Sequence, residues 1–159
     1  MVKKIQKNYL NSGDVFTIRL TDGSILLGQV LDFQLKHIIR CAFFNERFQE
    51  IEQIGEYICK ENNVIALLSV TKEYFISRKW KIIGNKPIDI FVENYSNERF
   101  RNSGWVGAKI YNASIIEDFL NAFYTLSPWD IYYNTEYFDD LLYDKKLKPM
   151  NLIFCKKKT

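Results

Sequence analysis

The run GDVFTIRLTDGSILLGQVLDF, residues 13–33, constrains the fold more than any other part of the chain. Phe16, Ile18 and Leu20 alternate with Thr17 and Arg19, the period of a half-buried strand. Asp22-Gly23 then stands between two apolar runs, the sequence of a two-residue hairpin loop in which both positions take positive φ. On the return strand Leu26, Gly28 and Val30 share one face, and a glycine inside a strand marks a bulge or a close backbone approach. An antiparallel β-hairpin is therefore predicted here.

Further strands follow. HIIRCAFF (37–44) is β-branched and aromatic with little alternation, so it reads as a strand covered on both faces. In RFQEIEQIGEYICKENN, Phe48, Ile51 and Ile54 lie at helical spacing until Gly55 interrupts, which predicts a short helix ending there. VIALLSVTK (64–72) is strand-like. RKWKIIGNKP reads as a short strand closing in a turn at Gly84-Asn85, and GWVGAKIYN (104–112) as a last strand carrying two glycines. The period then changes. Ser114 and Glu117 have the spacing of a capping box, and Ile115, Ile116, Phe119, Leu120 and Phe123 form an apolar stripe, with Glu117, Asp118 and Asn121 facing away. Pro128 prevents that helix from continuing. A second helix is predicted from near Thr135, burying Tyr137, Phe138, Leu141 and Leu142, and a final strand at 151–155 before a frayed lysine-rich end. The fold class is α+β: a β-rich N-terminal antiparallel sheet or partly open barrel, with helices packed on it toward the C-terminus. At 159 residues the chain is most simply one domain, 1–159, large enough to bury a core without a metal or disulfide staple.

Composition narrows the class of function. The three cysteines, Cys41, Cys59 and Cys155, are odd in number and share no CxxC spacing, which argues against a disulfide framework or a zinc knuckle and for a reducing, cytoplasmic setting. MVKKIQKNYL has no signal-peptide pattern, and no apolar run is long enough to span a membrane. The net charge of +3 is too small to announce nucleic-acid binding by itself.

A search for catalytic chemistry yields little. The single histidine, His37, lies four residues before Cys41, which on a strand places them roughly 13 Å apart, too far for a base to activate a thiol. Phosphate-cradling glycine motifs and the G-x-S-x-G elbow do not occur. The carboxylate pairs Glu117/Asp118 and Asp139/Asp140 are adjacent residues, which point about 100° apart on a helix. Neither an enzyme nor a cofactor is indicated. FRNSGW and ISRKWKIIGNK interleave basic and aromatic residues as single-strand-binding grooves do, so a small nucleic-acid-binding module using a basic aromatic surface from Trp80 to Trp105 is the alternative reading. The competing explanation is that Trp80, Phe100 and Trp105 are core aromatics.

One stretch stands apart. SPWDIYYNTEYFDDLLYD (127–144) holds five acids and no Lys or Arg, so it carries −5 while the rest of the chain carries +8. Turn chemistry and a helix dipole account for Asp130 and Glu136, but not for Asp139, Asp140 and Asp144 further along. Tyrosine supplies rigid contact area and carboxylates steer a basic partner. Tyr132, Tyr133, Glu136, Asp139, Asp140, Tyr143 and Asp144 are accordingly the candidate residues for binding a basic protein partner, the pattern of an inhibitor.

SGDVFTIRLTDGSILLGQVL, RKWKIIGNKPI, GWVGAKIYN and LSPWDIYYNTEYFDDLL, in that order, resemble the immunity protein 26 family of bacterial polymorphic-toxin systems, over Gly13 to about Pro149. The resemblance implies a protein that neutralises a cognate toxin domain by stoichiometric occlusion rather than turnover. It also implies a framework of Gly13, Asp14, Phe16, Gly28, Trp80, Gly84, Trp105, Gly107, Pro128, Trp129 and Asp130.

Overall fold

The computed structural model describes residues 10–57, 59–91, 93, 95 and 97–155. Strands β1 (Asp14–Arg19) and β2 (Ile25–Leu35) form the expected hairpin, with Phe16 opposite Gly28 and Arg19 opposite Ile25. The glycine is there because Phe16 needs its space: a Cβ on Gly28 would lie 2.4 Å from the Phe16 ring. The strand register against β3 also shifts between Leu26 and Gly28, so bulge and close approach coincide. The loop differs from the two-residue turn expected. Leu20 N–H donates to Ser24 C=O at 2.8 Å and Gly23 N–H to Leu20 C=O at 2.9 Å, and only Gly23 (φ 86) has positive φ. This is the three-residue loop Thr21-Asp22-Gly23, a turn followed by one left-handed residue. The Asp22 carboxylate favours it by accepting from Ser24 N–H and Oγ, at 2.9 and 2.6 Å.

Strands β3 (Ile38–Phe48), β4 (Val64–Thr71) and β5 (Lys81–Asn85) complete an open five-stranded antiparallel sheet in the order β4-β3-β2-β1-β5. The chain crosses from β4 to β5 through the one-turn helix α1 (Glu73–Ile76) and delivers Trp80 onto the sheet. There it stacks on Phe16 with centroids 5.3 Å apart. One face of the sheet packs Phe16, Cys41, Phe43, Leu68 and Val70 under helix α2 (Ala113–Phe123), Trp129 and Phe138. The other packs Leu27, Ala42, Phe44 and Leu67 against Ile90 and Tyr95. Both faces of β3 are therefore covered, as its largely apolar sequence with little alternation requires.

Several expectations are corrected. Residues 48–54 are not a helix: β3 runs to Phe48 and a single 3₁₀ turn, Ile51–Gln53, follows. Gly84 and Asn85 lie inside β5, opposite Val15 and Asp14, so the chain turns only after them. Residues 104–112 are not a strand. Gly104, Trp105 and Gly107 have φ of 66, 67 and 94°, which excludes an extended run, and only Tyr111 bridges to β4, beside Val70. Helix α2 begins two residues earlier than a Ser114 cap would allow, with Asn112 at the N-cap, and the Ser114–Glu117 box does not form. Ala113 N–H is instead taken by Glu73 Oε1 at 3.1 Å. Glu117 faces inward, accepting from Lys79 Nζ at 2.7 Å and Trp80 Nε1 at 3.2 Å. Asn121 is likewise buried, and its Oδ1 accepts from Thr21 N–H at 2.9 Å, tying α2 to the hairpin tip. After α2 the predicted second helix is a 3₁₀ segment, Tyr137–Leu141, that does bury Phe138 and Leu141. The final strand reduces to one bridge, Ile153 beside Pro128. The lysine-rich end, 156–159, lies outside the described residues.

Candidate functional site

The acidic–aromatic segment is built around Trp129, which is 1% exposed and packs on Phe119 and Phe138 with centroids 5.8 and 5.5 Å away. An indole buried so deeply needs an acceptor for its N–H. Asp139 provides it, at 2.6 Å, and its second oxygen accepts from Lys148 Nζ at 3.0 Å. Asp130 is also buried and accepts from Cys155 N–H at 2.7 Å, fixing the return of the chain. Two of the five acids are thus internal connectors. Asp144 caps the 3₁₀ turn Lys145–Leu147 by accepting from Lys146 N–H at 2.9 Å.

The tyrosines divide in the same way. Tyr132 rests its ring on Phe138 and donates its hydroxyl to Asp118 Oδ2 at 2.7 Å. Burial, followed by that carboxylate, pushes its phenol well above the ordinary value. Tyr143 donates its hydroxyl to Glu61 Oε1 at 3.0 Å and its N–H to Ile65 C=O of β4 at 2.7 Å. Tyr133, by contrast, is fully exposed. Of the seven candidates, then, Tyr133, Glu136, Asp140 and Asp144 face solvent, while Tyr132, Asp139 and Tyr143 are half-buried. The exposed charge is mixed as well: Asp140 lies 3.8 Å from Lys145, and residues 127–148 together carry −2.

The framework residues fall into two groups. Gly13, Asp14, Phe16, Gly28 and Gly84 lie in or beside the paired strands β1, β2 and β5, with Trp80 packed against them. Trp105 and Gly107 shape the turns after the 3₁₀ segment Glu98–Ser103, and Pro128, Trp129 and Asp130 fix the start of the acidic segment. Trp80 is in the core, so it presents no stacking face to a nucleic acid. His37 is exposed in the β2–β3 turn while Cys41 is wholly buried, so the two do not form a catalytic couple. Burial drives the Cys41 thiol far above its usual range, the opposite of activation.

Sequence reasoning missed Arg40. Its side chain is completely buried, paired with Asp32 and Glu98, and lies between the rings of Tyr95 and Trp105 at 4.7 and 5.1 Å. Burial acts to lower its pKa, but the two carboxylates outweigh this and hold it above the ordinary value. Arg101 completes the group by pairing with Glu98 and lying over Trp105 at 4.8 Å. The signal was present: Arg40 interrupts an apolar strand directly opposite Asp32 on its hairpin partner.

Beside the segment lies a cleft of about 300 Å³. Leu67 and Ser69 of β4, Tyr111, Arg99, Lys109 and Asp140 are among the residues that line it. A second cleft of similar size adjoins it, sharing Lys109, Tyr111 and Asp140.

Among the described residues, no cluster of His, Cys, Asp and Glu is arranged to hold a metal ion. None of their helices is long and apolar enough to cross a membrane. The family model of immunity protein 26 matches residues 11–100, more than half of the chain, and the chain belongs to that family. The matched region contains all five strands and ends before Trp105, α2 and the acidic segment. No curated protein and no solved structure matches the chain.

Proposed function

We propose that this protein binds and neutralises a cognate polymorphic toxin in the bacterial cytoplasm by stoichiometric occlusion, without turnover. The observation that carries the reading is membership of the immunity protein 26 family. The proposed contact face is the acidic–aromatic segment, with Tyr133, Glu136, Asp140 and Asp144 as its solvent-facing members and Tyr132, Asp139 and Tyr143 supporting them. Tyr133 offers a rigid ring at little conformational cost, and the carboxylates draw in a basic toxin domain. A standard interface of this kind buries roughly 1,600 Å² in total.

The test is co-expression with the toxin encoded immediately upstream. Survival with the wild-type chain and a one-to-one complex in solution are expected. Death of the co-expressing cells with no complex formed would end the immunity reading.

A further inference from the structure

The outer edge of β4 is closed in two places and open between them. Tyr111 N–H donates to Ser69 C=O at 2.9 Å, and Thr71 N–H donates to Tyr111 C=O at 3.1 Å, one rung of a parallel ladder. Further back along β4, Tyr143 N–H takes Ile65 C=O at 2.7 Å. Backbone groups alternate sides along a strand, so Leu67 C=O and Ser69 N–H point outward with Ser69 C=O. A continued ladder would pair both with Lys109, two residues before Tyr111. The chain turns away instead through Gly107, whose φ is 94°. Among the described residues no protein group meets Leu67 C=O or Ser69 N–H from that side. Both residues line the 300 Å³ cleft.

Charge indicates what fits. Arg99 and Lys109 are exposed, line the cleft and have no carboxylate partner among the described residues. Asp140, which also lines the cleft, already has Lys145 at 3.8 Å. The cleft thus presents an open main-chain acceptor and donor beside two uncompensated cations.

Resting on the immunity reading above, we infer that this cleft receives an extended segment of the toxin chain carrying a carboxylate. Its backbone supplies the missing rung, donating to Leu67 C=O and accepting from Ser69 N–H, as in strand addition to a sheet edge. Its carboxylate lies between Arg99 and Lys109. The contact face is then bipolar: carboxylates around Asp140 steer a basic surface, while the adjoining cleft anchors one acidic strand.

The probe is a catalytically inactivated form of the toxin domain encoded immediately upstream. Amide exchange in the complex and the affinities of Arg99→Glu and Lys109→Glu are measured, with thermal melts verifying that both variants fold. Protection of the Ser69 amide by at least tenfold on complex formation is expected, with a tenfold or greater loss of affinity in each variant. A wild-type complex in which Ser69 exchange is unchanged, or in which both variants bind within twofold of wild type, overturns the cleft assignment and leaves the immunity reading standing. Ser69 protection in the isolated chain, rising with its concentration alongside a dimer, would make a second copy the occupant and also overturn it. Failure of the wild-type chain to bind the toxin at all removes both readings.

Discussion

The indole N–H of Trp129 and the carboxylate of Asp139 meet at 2.6 Å, so the most conspicuous acid of the negative segment is aimed inward at the core. Removing it leaves a buried donor without an acceptor, which costs about 1–3 kcal/mol. Asp139→Ala is therefore expected to lower the unfolding free energy by that amount, seen as a lower urea midpoint with an unchanged m-value. Asp139→Asn, which keeps an acceptor oxygen, is expected to lose less. Equal effects from both would show that the bond to Trp129 contributes nothing.

Asp140 is the cleaner probe of steering, because its carboxylate is exposed and its only ion pair among the described residues is the loose one with Lys145. Asp140→Lys is predicted to leave the thermal midpoint within about 2 °C of wild type and to slow association with the toxin several-fold at low salt. The difference should shrink as ionic strength rises. Stopped-flow association at two salt concentrations decides it, and identical rates at low salt would remove Asp140 from the approach path.

Gly28 is predicted to be intolerant of any side chain. A Cβ there would sit 2.4 Å from the Phe16 ring, which is itself stacked under Trp80 and cannot withdraw. Gly28→Ala is expected to destabilise by about 1–3 kcal/mol, the usual cost of overpacking. Phe16→Leu in the same chain should recover part of that loss. Denaturant melts of the single and double variants measure the coupling.

The Arg40 cluster predicts acid sensitivity. Hydrogen bonding from Arg101 first, and Arg40 next, holds the Glu98 carboxyl below its ordinary value. A carboxylate with a depressed folded-state pKa stabilises fully above its unfolded value, about 4.3, and loses that contribution as pH falls through the folded value. The urea midpoint of the wild type should fall as pH drops below about 4.5, and Arg101→Met should flatten that fall. Arg40→Ala, which leaves a buried void and takes one of two cationic partners from both Asp32 and Glu98, is expected to cost about 3 kcal/mol at neutral pH. A pH profile of the Arg101 variant parallel to wild type would contradict the assignment.

Elements defined by neighbours in sequence were legible, and those defined by tertiary partners were not. The β1–β2 hairpin, the doubly covered β3 and the buried stripe of α2 follow from local patterns, and each is present. The capping box failed because Glu117 has better-placed partners in Lys79 and Trp80, nearly forty residues upstream. The strand predicted over 104–112 failed because Trp105, a good strand former, sits in left-handed geometry against Arg40 and Arg101. In the candidate site, the accumulation of acid was visible, but its division was not. Nothing in the order of residues says that Asp130 answers Cys155 and Asp139 answers Trp129, while Asp140 is left to solvent.

Tyr111 and Tyr143 meet the outer rim of β4 in two places, and both are synthesised long after it. A nascent chain that has just emitted residue 71 consequently displays an unshielded row of amides and carbonyls until another seventy or so residues have left the ribosome. A transcript ending between those two tyrosines would encode all five strands and still lack the contact that Tyr143 makes with Ile65. Its product would be expected to join other copies edge to edge, collecting in inclusion bodies rather than surviving as a shortened protein.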